Sequence, residues 1–174
     1  MEEKGYIHIY FGDGKGKTTA AVGLAVRAAG NGYRVLFVQF LKDNRSCERR
    51  TLEMIPGITC MNGREKEKFV FQMSEAEKKE TSWYCAGVLD HVRVEMEQYD
   101  VVILDEIICA VQTGMLKEEY VMKLIQGKPA HTELVLTGQS PSIELLEAAD
   151  YVTEMKKIRH PYEKGVCARK GIEL

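Results

Sequence analysis

The sequence predicts an α/β fold in which helices cover both faces of a mostly parallel β-sheet. Apolar strand-like segments alternate with helical segments along the chain, which is typical of this class. Residues 33–41 are apolar almost throughout, as in strands that are buried on both faces. A glycine-rich loop also joins the first strand to the first helix. In such sheets we expect right-handed crossovers and a ligand at the carboxyl ends of the strands.

The first half of the chain is predicted to contain two long strands, a helix between them and a short third strand. Their expected ranges are 5–11 for the first strand, 17–31 for the helix, 33–41 for the second strand and 58–61 for the short strand. Glycines at positions 30 and 32 can end the helix. Residues 42–56 are polar and residues 62–72 are charged and then aromatic, so both stretches are predicted to be irregular.

The second half begins with a long amphipathic helix and continues with three further strands. The pattern Ser-x-x-Glu at Ser74 and Glu77 predicts a capping box at the start of this helix. Trp83 and the methionines are expected in the core. The predicted ranges are 74–98 for the helix, then 101–104, 133–137 and 151–155 for strands, and 117–126 and 142–148 for helices.

Residues 12–19, Gly-Asp-Gly-Lys-Gly-Lys-Thr-Thr, carry the pattern of a phosphate-binding loop. Glycines lack a Cβ, so the backbone can approach a polyphosphate and point N–H groups at it. Lys17 adds a positive charge, and the Thr18 hydroxyl can ligate a magnesium ion on the same phosphates. Since position 11 is Phe, the loop is one residue shorter than the pattern G-x-x-x-x-G-K-[ST]. The alternative is a strand-to-helix turn without a ligand.

A second motif follows the predicted strand 101–104. Asp105 and Glu106 come directly after these apolar residues, which is the Walker B pattern. A carboxylate at this position can hold a metal ion, directly or through water, opposite Thr18. Taken from the residues alone, Glu106 could also be the base that activates water. Simple nucleotide hydrolysis is therefore the first hypothesis.

Two features leave more than one interpretation open. Phe69 and Phe71 lie on the same side of an extended segment, either as an edge strand packed on the core or as functional aromatic side chains. The basic tail 156–170 is either a solvated surface or a segment that closes over phosphates.

Length and composition limit the kind of protein. The 174 residues fit one domain, 1–174, and the net charge of −2 gives no indication of nucleic-acid binding. No apolar run approaches 18 residues, so no membrane span is predicted. The five cysteines lack metal-binding spacing and the first residues lack a targeting segment. We therefore expect a cytoplasmic protein.

Several stretches together resemble one family, the ATP:corrinoid adenosyltransferases with a P-loop NTPase-like (RecA-like) fold. The shortened loop is itself the form found in this family, so its departure from the usual pattern supports the resemblance. The resembling stretches are 9–21, 34–41, 99–107, 135–138, 149–155 and 160–173.

The resemblance implies a reaction that the motifs alone do not show. A cobalt(I) corrinoid, either cobalamin or a precursor, attacks the 5′ carbon of ATP, and triphosphate leaves. Glu106 and Thr18, with Asp105, would hold Mg²⁺ or Mn²⁺, and Lys17 and Thr18 would act on the leaving triphosphate. The nucleotide-binding residues would be Gly12, Asp13, Gly14, Lys15, Gly16, Lys17, Thr18, Thr19 and Arg27.

The resemblance also implies a corrinoid site and protein partners. Phe69 and Phe71 align with an aromatic pair that displaces the lower ligand of the corrinoid, which eases reduction of cobalt(II) to cobalt(I). A reductant such as a flavodoxin would supply the electron, and the active form would be a homodimer.

A few positions depart from the family pattern. Asp13 replaces a common Asn, Gln139 replaces Arg, Phe71 replaces Trp, and Ile108-Cys109 replaces Asn-Tyr. Asp13 would repel phosphates unless it turned outward or paired with Lys15. These departures keep two alternatives open, a P-loop ATPase or kinase with another substrate and a module that binds nucleotide or corrinoid without catalysis.

Overall fold

The computed structural model, which describes residues 4–61, 63, 64 and 68–172, contains one six-stranded sheet in which every pair of neighbouring strands is parallel. The strand order is β3-β2-β4-β5-β1-β6, so β5 separates the strand before the phosphate loop from the strand that ends at Asp105. The strands are β1 (Ile7–Phe11), β2 (Val35–Gln39), β3 (Ile58–Cys60), β4 (Val101–Asp105), β5 (Glu133–Thr137) and β6 (Tyr151–Glu154).

Helices follow the strands along the chain. The α-helices are α1 (Lys17–Gly30), α2 (Cys47–Leu52), α3 (Glu75–Glu95), α4 (Ile107–Gln112), α5 (Glu118–Gln126) and α6 (Ile143–Glu147). Short 3₁₀ turns lie at Val70–Gln72, Met96–Gln98 and Pro161–Lys164. In the described part of the chain, no helix combines the length and the apolar character needed to cross a bilayer.

The sheet separates two apolar cores, as the predicted class requires. On one face α1 packs through three buried alanines against alternate residues of the central strands, such as Phe37 and Ile103. On the other face α3 to α6 cover the remaining alternate residues, such as Val38 and Leu104. Side chains of a strand alternate between faces, so the nearly continuous apolar pattern of β2 and β4 follows directly from this double cover.

The capping box at the start of α3 is confirmed. The Ser74 side chain accepts a hydrogen bond from the Glu77 N–H at 3.3 Å, and the Ser74 N–H donates to Glu77 Oε2 at 2.8 Å. The two side chains satisfy free N–H groups at the helix end.

Two expectations from the sequence are wrong, one helix was not predicted, and Met54, one of the methionines expected in the core, is 81% exposed. Residues 42–56 contain α2, and α4 directly follows Glu106 where no helix was predicted. The α2 segment depends on tertiary contacts, because buried Arg49 donates to the Met61 carbonyl oxygen at 2.6 Å. Trp83 is 77% exposed rather than part of the core. It lies two residues from buried Cys85, about 200° around the helix, and therefore faces solvent.

The parallel arrangement brings the ends of the strands to one edge of the sheet. The phosphate loop after β1, Lys42 after β2, Glu106 after β4 and the tail after β6 all begin there. This edge is where open α/β sheets bind their ligands.

Candidate active site

The phosphate loop fits closely against the tail. Gly12 and Gly16 have φ angles of 113° and 116°, a region that favours glycine. The Gly14 N–H donates to the Met155 carbonyl oxygen at 2.7 Å. A Cβ at Gly12 or Gly14 would lie 2.5 Å from that same oxygen. Glycine is therefore needed at both positions because the main chain of the tail passes against the loop.

Lys17 lies across the loop. Its Nζ donates to the carbonyl oxygens of Gly12 at 2.8 Å and Gly14 at 2.7 Å. The ammonium is partly buried within the loop by these contacts. It is therefore held beside the backbone that would surround a phosphate.

Asp105 is the most heavily bonded carboxylate at this edge of the sheet. It is completely buried, at 0% exposure. Its Oδ1 accepts from the hydroxyls of Thr18 at 2.9 Å and Thr137 at 2.8 Å, and its Oδ2 accepts from Lys42 Nζ at 2.8 Å and Gln39 Nε2 at 3.2 Å. Removal of any one donor would leave part of a buried charge unsatisfied, which is costly.

Glu106 has a backbone conformation that few residues adopt. Its φ is 62°, in the left-handed region, which costs about 1–3 kcal/mol for a residue other than glycine. The Glu106 N–H donates to Thr137 Oγ1 at 2.9 Å, and the residue lines the cavity above the loop. Strain of this kind is typical of functional positions. Nearby, burial and then the Glu106 charge raise the pKa of Cys109 to about 12, so this thiol stays protonated and is not a nucleophile.

A cavity of about 290 Å³ lies between the loop and the tail. Residues 13–19 and Glu106 line one side of it, and tail residues including His160 and Tyr162 line the other. Nearly all side chains of the tail are exposed, so the tail is a solvated surface that also borders this cavity. Its closure over phosphates stays a prediction. Asp13 Oδ1 accepts from the Lys157 N–H at 2.9 Å, and this bond lowers the pKa of Asp13. The Asp13 carboxylate is therefore bound by the tail rather than by Lys15.

The chemistry of these side chains fits a divalent metal ion. Thr18, Asp105 and Glu106 offer hydroxyl and carboxylate oxygens, the ligands that Mg²⁺ and Mn²⁺ prefer. The ammonium of Lys42 already lies on Asp105 and 3.3 Å from Thr18 Oγ1, which shows that a cation is accommodated there. Burial disfavours the charged form of Lys42, but Asp105 outweighs it, and the pKa of Lys42 is raised. In the described ranges no group of three or more His, Cys, Asp or Glu side chains is placed to hold a metal ion.

Comparisons with known proteins agree with this geometry. The model of a family described as ATP:corrinoid adenosyltransferase BtuR/CobO/CobP matches residues 3–174. The chain belongs to this adenosyltransferase family. It is 33% identical to the corrinoid adenosyltransferase CobA of Salmonella typhimurium, covering 99% of this chain and 87% of that protein. It is 32% identical to a corrinoid adenosyltransferase of Pseudomonas aeruginosa, covering 99% of this chain and 85% of the relative.

A solved structure supports the fold. The chain is similar to a KaiC-like protein from Pyrococcus horikoshii with a TM-score of 0.56 and 17% identity, covering 88% of this chain and 73% of that one. This likeness agrees with the predicted P-loop, RecA-like architecture. The resemblance of the sequence to the adenosyltransferase family is confirmed, and with it the ATP-dependent adenosylation of corrinoids as the type of reaction.

Not every residue that the adenosyltransferase resemblance assigned lies around the loop. Phe69 and Phe71 are 71% and 82% exposed, and their rings stack with centroids 5.5 Å apart at 14°. The interpretation as an edge strand packed on the core is wrong, since Val70–Gln72 form a 3₁₀ turn. Arg27 lies ten residues after Lys17, about 15 Å along α1. It lines a separate cavity of about 980 Å³, and its contact with nucleotide stays a prediction.

Three further polar residues at the candidate active site were missed. Lys42, Gln39 and Thr137 all bond Asp105, yet none belongs to the loop or to the Walker B motif. A signal was present, because all three lie within three residues of the carboxyl end of a strand, β2 or β5. Such residues reach Asp105 only if their strands lie beside β4. The order of the strands in the sheet could not be predicted from the sequence.

Proposed function

We propose that this chain transfers the 5′-deoxyadenosyl group of ATP to the cobalt(I) centre of a reduced corrinoid and releases the three phosphates together as triphosphate. The observation that carries this proposal is the shortened loop, in which Lys17 lies beside Glu106 and the tail in one cavity. Family membership supplies the corrinoid and the ATP.

The electrons balance without an acid or base from the protein. The cobalt(I) lone pair forms the bond to the 5′ carbon, and the bond from that carbon to the triphosphate oxygen breaks with its electrons going to the oxygen. The corrinoid is the nucleophile, so Glu106 is not needed to activate water. The task left to the protein is to orient the reactants and to stabilise the charge of the leaving group.

The loop residues would bind this leaving group. Lys17 would contribute charge, while the Gly16 N–H and the start of α1 would face the phosphates. The Gly14 N–H is already bonded to the Met155 carbonyl oxygen, so Gly14 would contribute through the close approach of its backbone. Gly12, Asp13, Lys15 and Thr19 complete the loop, and Asp13 fixes the tail beside it. Arg27 lies about 15 Å along α1 from Lys17, so it would contact a part of the nucleotide away from the triphosphate.

Thr18 and Glu106 would hold Mg²⁺ or Mn²⁺, and Asp105 would bind the same metal ion directly or through a water molecule. The metal ion would neutralise part of the charge on the triphosphate. Thr137 and Gln39 hold the Asp105 carboxylate in place, and the left-handed conformation of Glu106 turns this residue toward the cavity.

The exposed pair Phe69 and Phe71 would contact the corrinoid. Two stacked rings that stand in solvent offer an apolar surface, and large exposed apolar groups mark binding sites when they are clustered. Displacement of the lower ligand by these rings would ease reduction to cobalt(I) by a flavodoxin-like reductant. A homodimer and a cytoplasmic location are further parts of the proposal.

The test is an anaerobic assay with ATP, Mg²⁺ and chemically reduced cob(I)alamin, in which the corrinoid spectrum and the phosphate product are both followed. We expect adenosylcobalamin and triphosphate in equal amounts. ADP with no change in the corrinoid would instead support a P-loop ATPase or kinase. ATP binding without either product, also with other corrinoids, would support a binding module.

A further inference from the structure

Lys42 occupies a position that the loop and Walker B motifs do not explain. Its Nζ donates to Asp105 Oδ2 at 2.8 Å and to Thr18 Oγ1 at 3.3 Å, while Glu48 Oε1 lies 3.9 Å away. The ammonium therefore contacts the same hydroxyl and the same carboxylate that would ligate a metal ion.

The backbone is strained on both sides of this contact. Among the described residues, Leu41 and Glu106 are the two with positive φ that are not glycine, at 53° and 62°. Leu41 directly precedes Lys42, and Glu106 directly follows Asp105. A left-handed conformation is unfavourable for leucine, so it persists only where surrounding contacts require it. The bond between Lys42 and Asp105 lies between these two unfavourable positions.

The burial of Asp105 makes a cation necessary. A carboxylate with 0% exposure is stable only when it is paired and hydrogen-bonded, and Lys42 supplies the positive charge. A divalent ion on the same oxygens would replace that charge and would repel the ammonium. Lys42 and a metal ion therefore compete for Asp105 and Thr18.

We infer that Lys42 acts as a resident cation, which neutralises Asp105 in the nucleotide-free protein and excludes a divalent metal until nucleotide phosphates offer the ammonium another anionic partner. This inference rests on the proposed use of metal at this site. It implies that metal and nucleotide bind cooperatively. The nucleotide draws Lys42 away from Asp105, and the metal ion then binds the oxygens that Lys42 has left.

The test measures Mn²⁺ binding to the full chain without nucleotide, by the loss of the electron paramagnetic resonance signal of free Mn²⁺, together with thermal melting. We expect Lys42→Met to bind Mn²⁺ at least about tenfold more tightly than the wild type, a difference of about 1.4 kcal/mol. Without metal, Lys42→Met should melt at least about 5 °C lower, because Asp105 loses its partner, and Mn²⁺ should reverse the loss.

Matched variants separate this effect from general loss of charge. Lys79→Met makes the same change at an exposed position of α3 and should behave as the wild type. The double variant Lys42→Met with Asp105→Asn should melt above Lys42→Met alone and should gain no stability from Mn²⁺. Lys42→Gln, which keeps a hydrogen-bond donor, is the second variant if Lys42→Met does not fold, and the same two readouts apply.

Two results would overturn the inference: equal Mn²⁺ binding by the wild type and the Lys42 variants, or rescue of the double variant by Mn²⁺. Neither readout uses adenosylation. If the chain fails to adenosylate a corrinoid while Lys42→Met gains Mn²⁺ binding, the proposed function fails and the resident cation stands. If adenosylation succeeds and the Lys42 variants behave as the wild type, only the inference on Lys42 fails.

Discussion

Asp105 and Lys17 show how single residues prepare this edge of the sheet for a charged ligand. Asp105 is fixed by four side chains from three parts of the chain, and Lys17 by two carbonyl oxygens of its own loop. Groups that are already positioned need little reorganisation when charge develops, which is the basis of electrostatic catalysis.

Replacement of Lys17 tests the proposed hold on triphosphate. We expect Lys17→Ala to reduce turnover by at least about 100-fold, since one well-placed charged donor is removed from the leaving group. Lys79→Ala, an exposed lysine of α3, is the control and should keep its rate. The measurement is the initial rate of cob(I)alamin adenosylation at saturating ATP, and a normal rate for Lys17→Ala would contradict the assignment.

Replacement of Phe71 tests the proposed corrinoid contact. With cob(II)alamin and a reductant, we expect Phe71→Ala to lose at least about tenfold in rate, or 1.4 kcal/mol in the barrier. With cob(I)alamin prepared beforehand the loss should be much smaller, because the reduction step is bypassed. Trp83→Ala, another exposed aromatic residue, is the control. An equal loss with both substrates would mean that Phe71 does not act on reduction.

Among the elements, α3 carries the clearest local signal and a measurable dependence on pH. The hydrogen bond from Lys68, followed by those from Ser74, lowers the pKa of Glu77 to about 2 from an ordinary value near 4.5. Because the folded state lowers this pKa, the ionised Glu77 stabilises the protein above pH 4.5. That contribution is lost as the pH falls from 4.5 through about 2.

Glu77→Gln should therefore be less stable than the wild type at neutral pH, and the difference should shrink toward pH 2. Denaturant unfolding at several pH values measures it. Glu75→Gln, in the same first turn and 90% exposed at the side chain, is the control for general removal of charge. A difference that does not change with pH would show that the Glu77 charge, held by Lys68 and Ser74, does not contribute to stability.

Across the whole molecule, the tail and the loop are joined although more than 140 positions separate them in sequence, as the Asp13 contact with Lys157 shows. The register of β6 beside β1, in which Glu154 pairs with Phe11, directs the tail past the glycines. The cavity is therefore formed by both ends of the chain.

Removal of the Asp13 side chain should loosen this connection. We expect trypsin to cleave the tail several-fold faster in Asp13→Ala, because the Lys157 N–H loses its acceptor and the segment opens more often. Asp13→Asn keeps an acceptor oxygen and should resemble the wild type. Mass spectrometry of the released tail fragments gives the rate, and equal rates in all three proteins would show that the tail is held by its other contacts.

The amino-acid sequence was enough for the parts of this protein whose signal is local. The loop 12–19, the carboxylates Asp105 and Glu106, the capped helix α3 and all six strands were predicted, because each follows from residues next to one another in the chain. The family resemblance was visible for the same reason. The short helices α2 and α4 were missed, since helices of six residues have little intrinsic stability and form through tertiary packing.

Only the tertiary structure decided what surrounds the two motifs. The strand order places β2 and β5 on either side of β4, and this alone brings Lys42, Gln39 and Thr137 onto Asp105. The pairing of β6 with β1 in the same order carries the tail past the loop. The exposure of Phe69 and Phe71 was likewise visible only in the folded chain. Neighbours in a sheet are chosen by the packing of the whole chain, and no short pattern of residues records that choice.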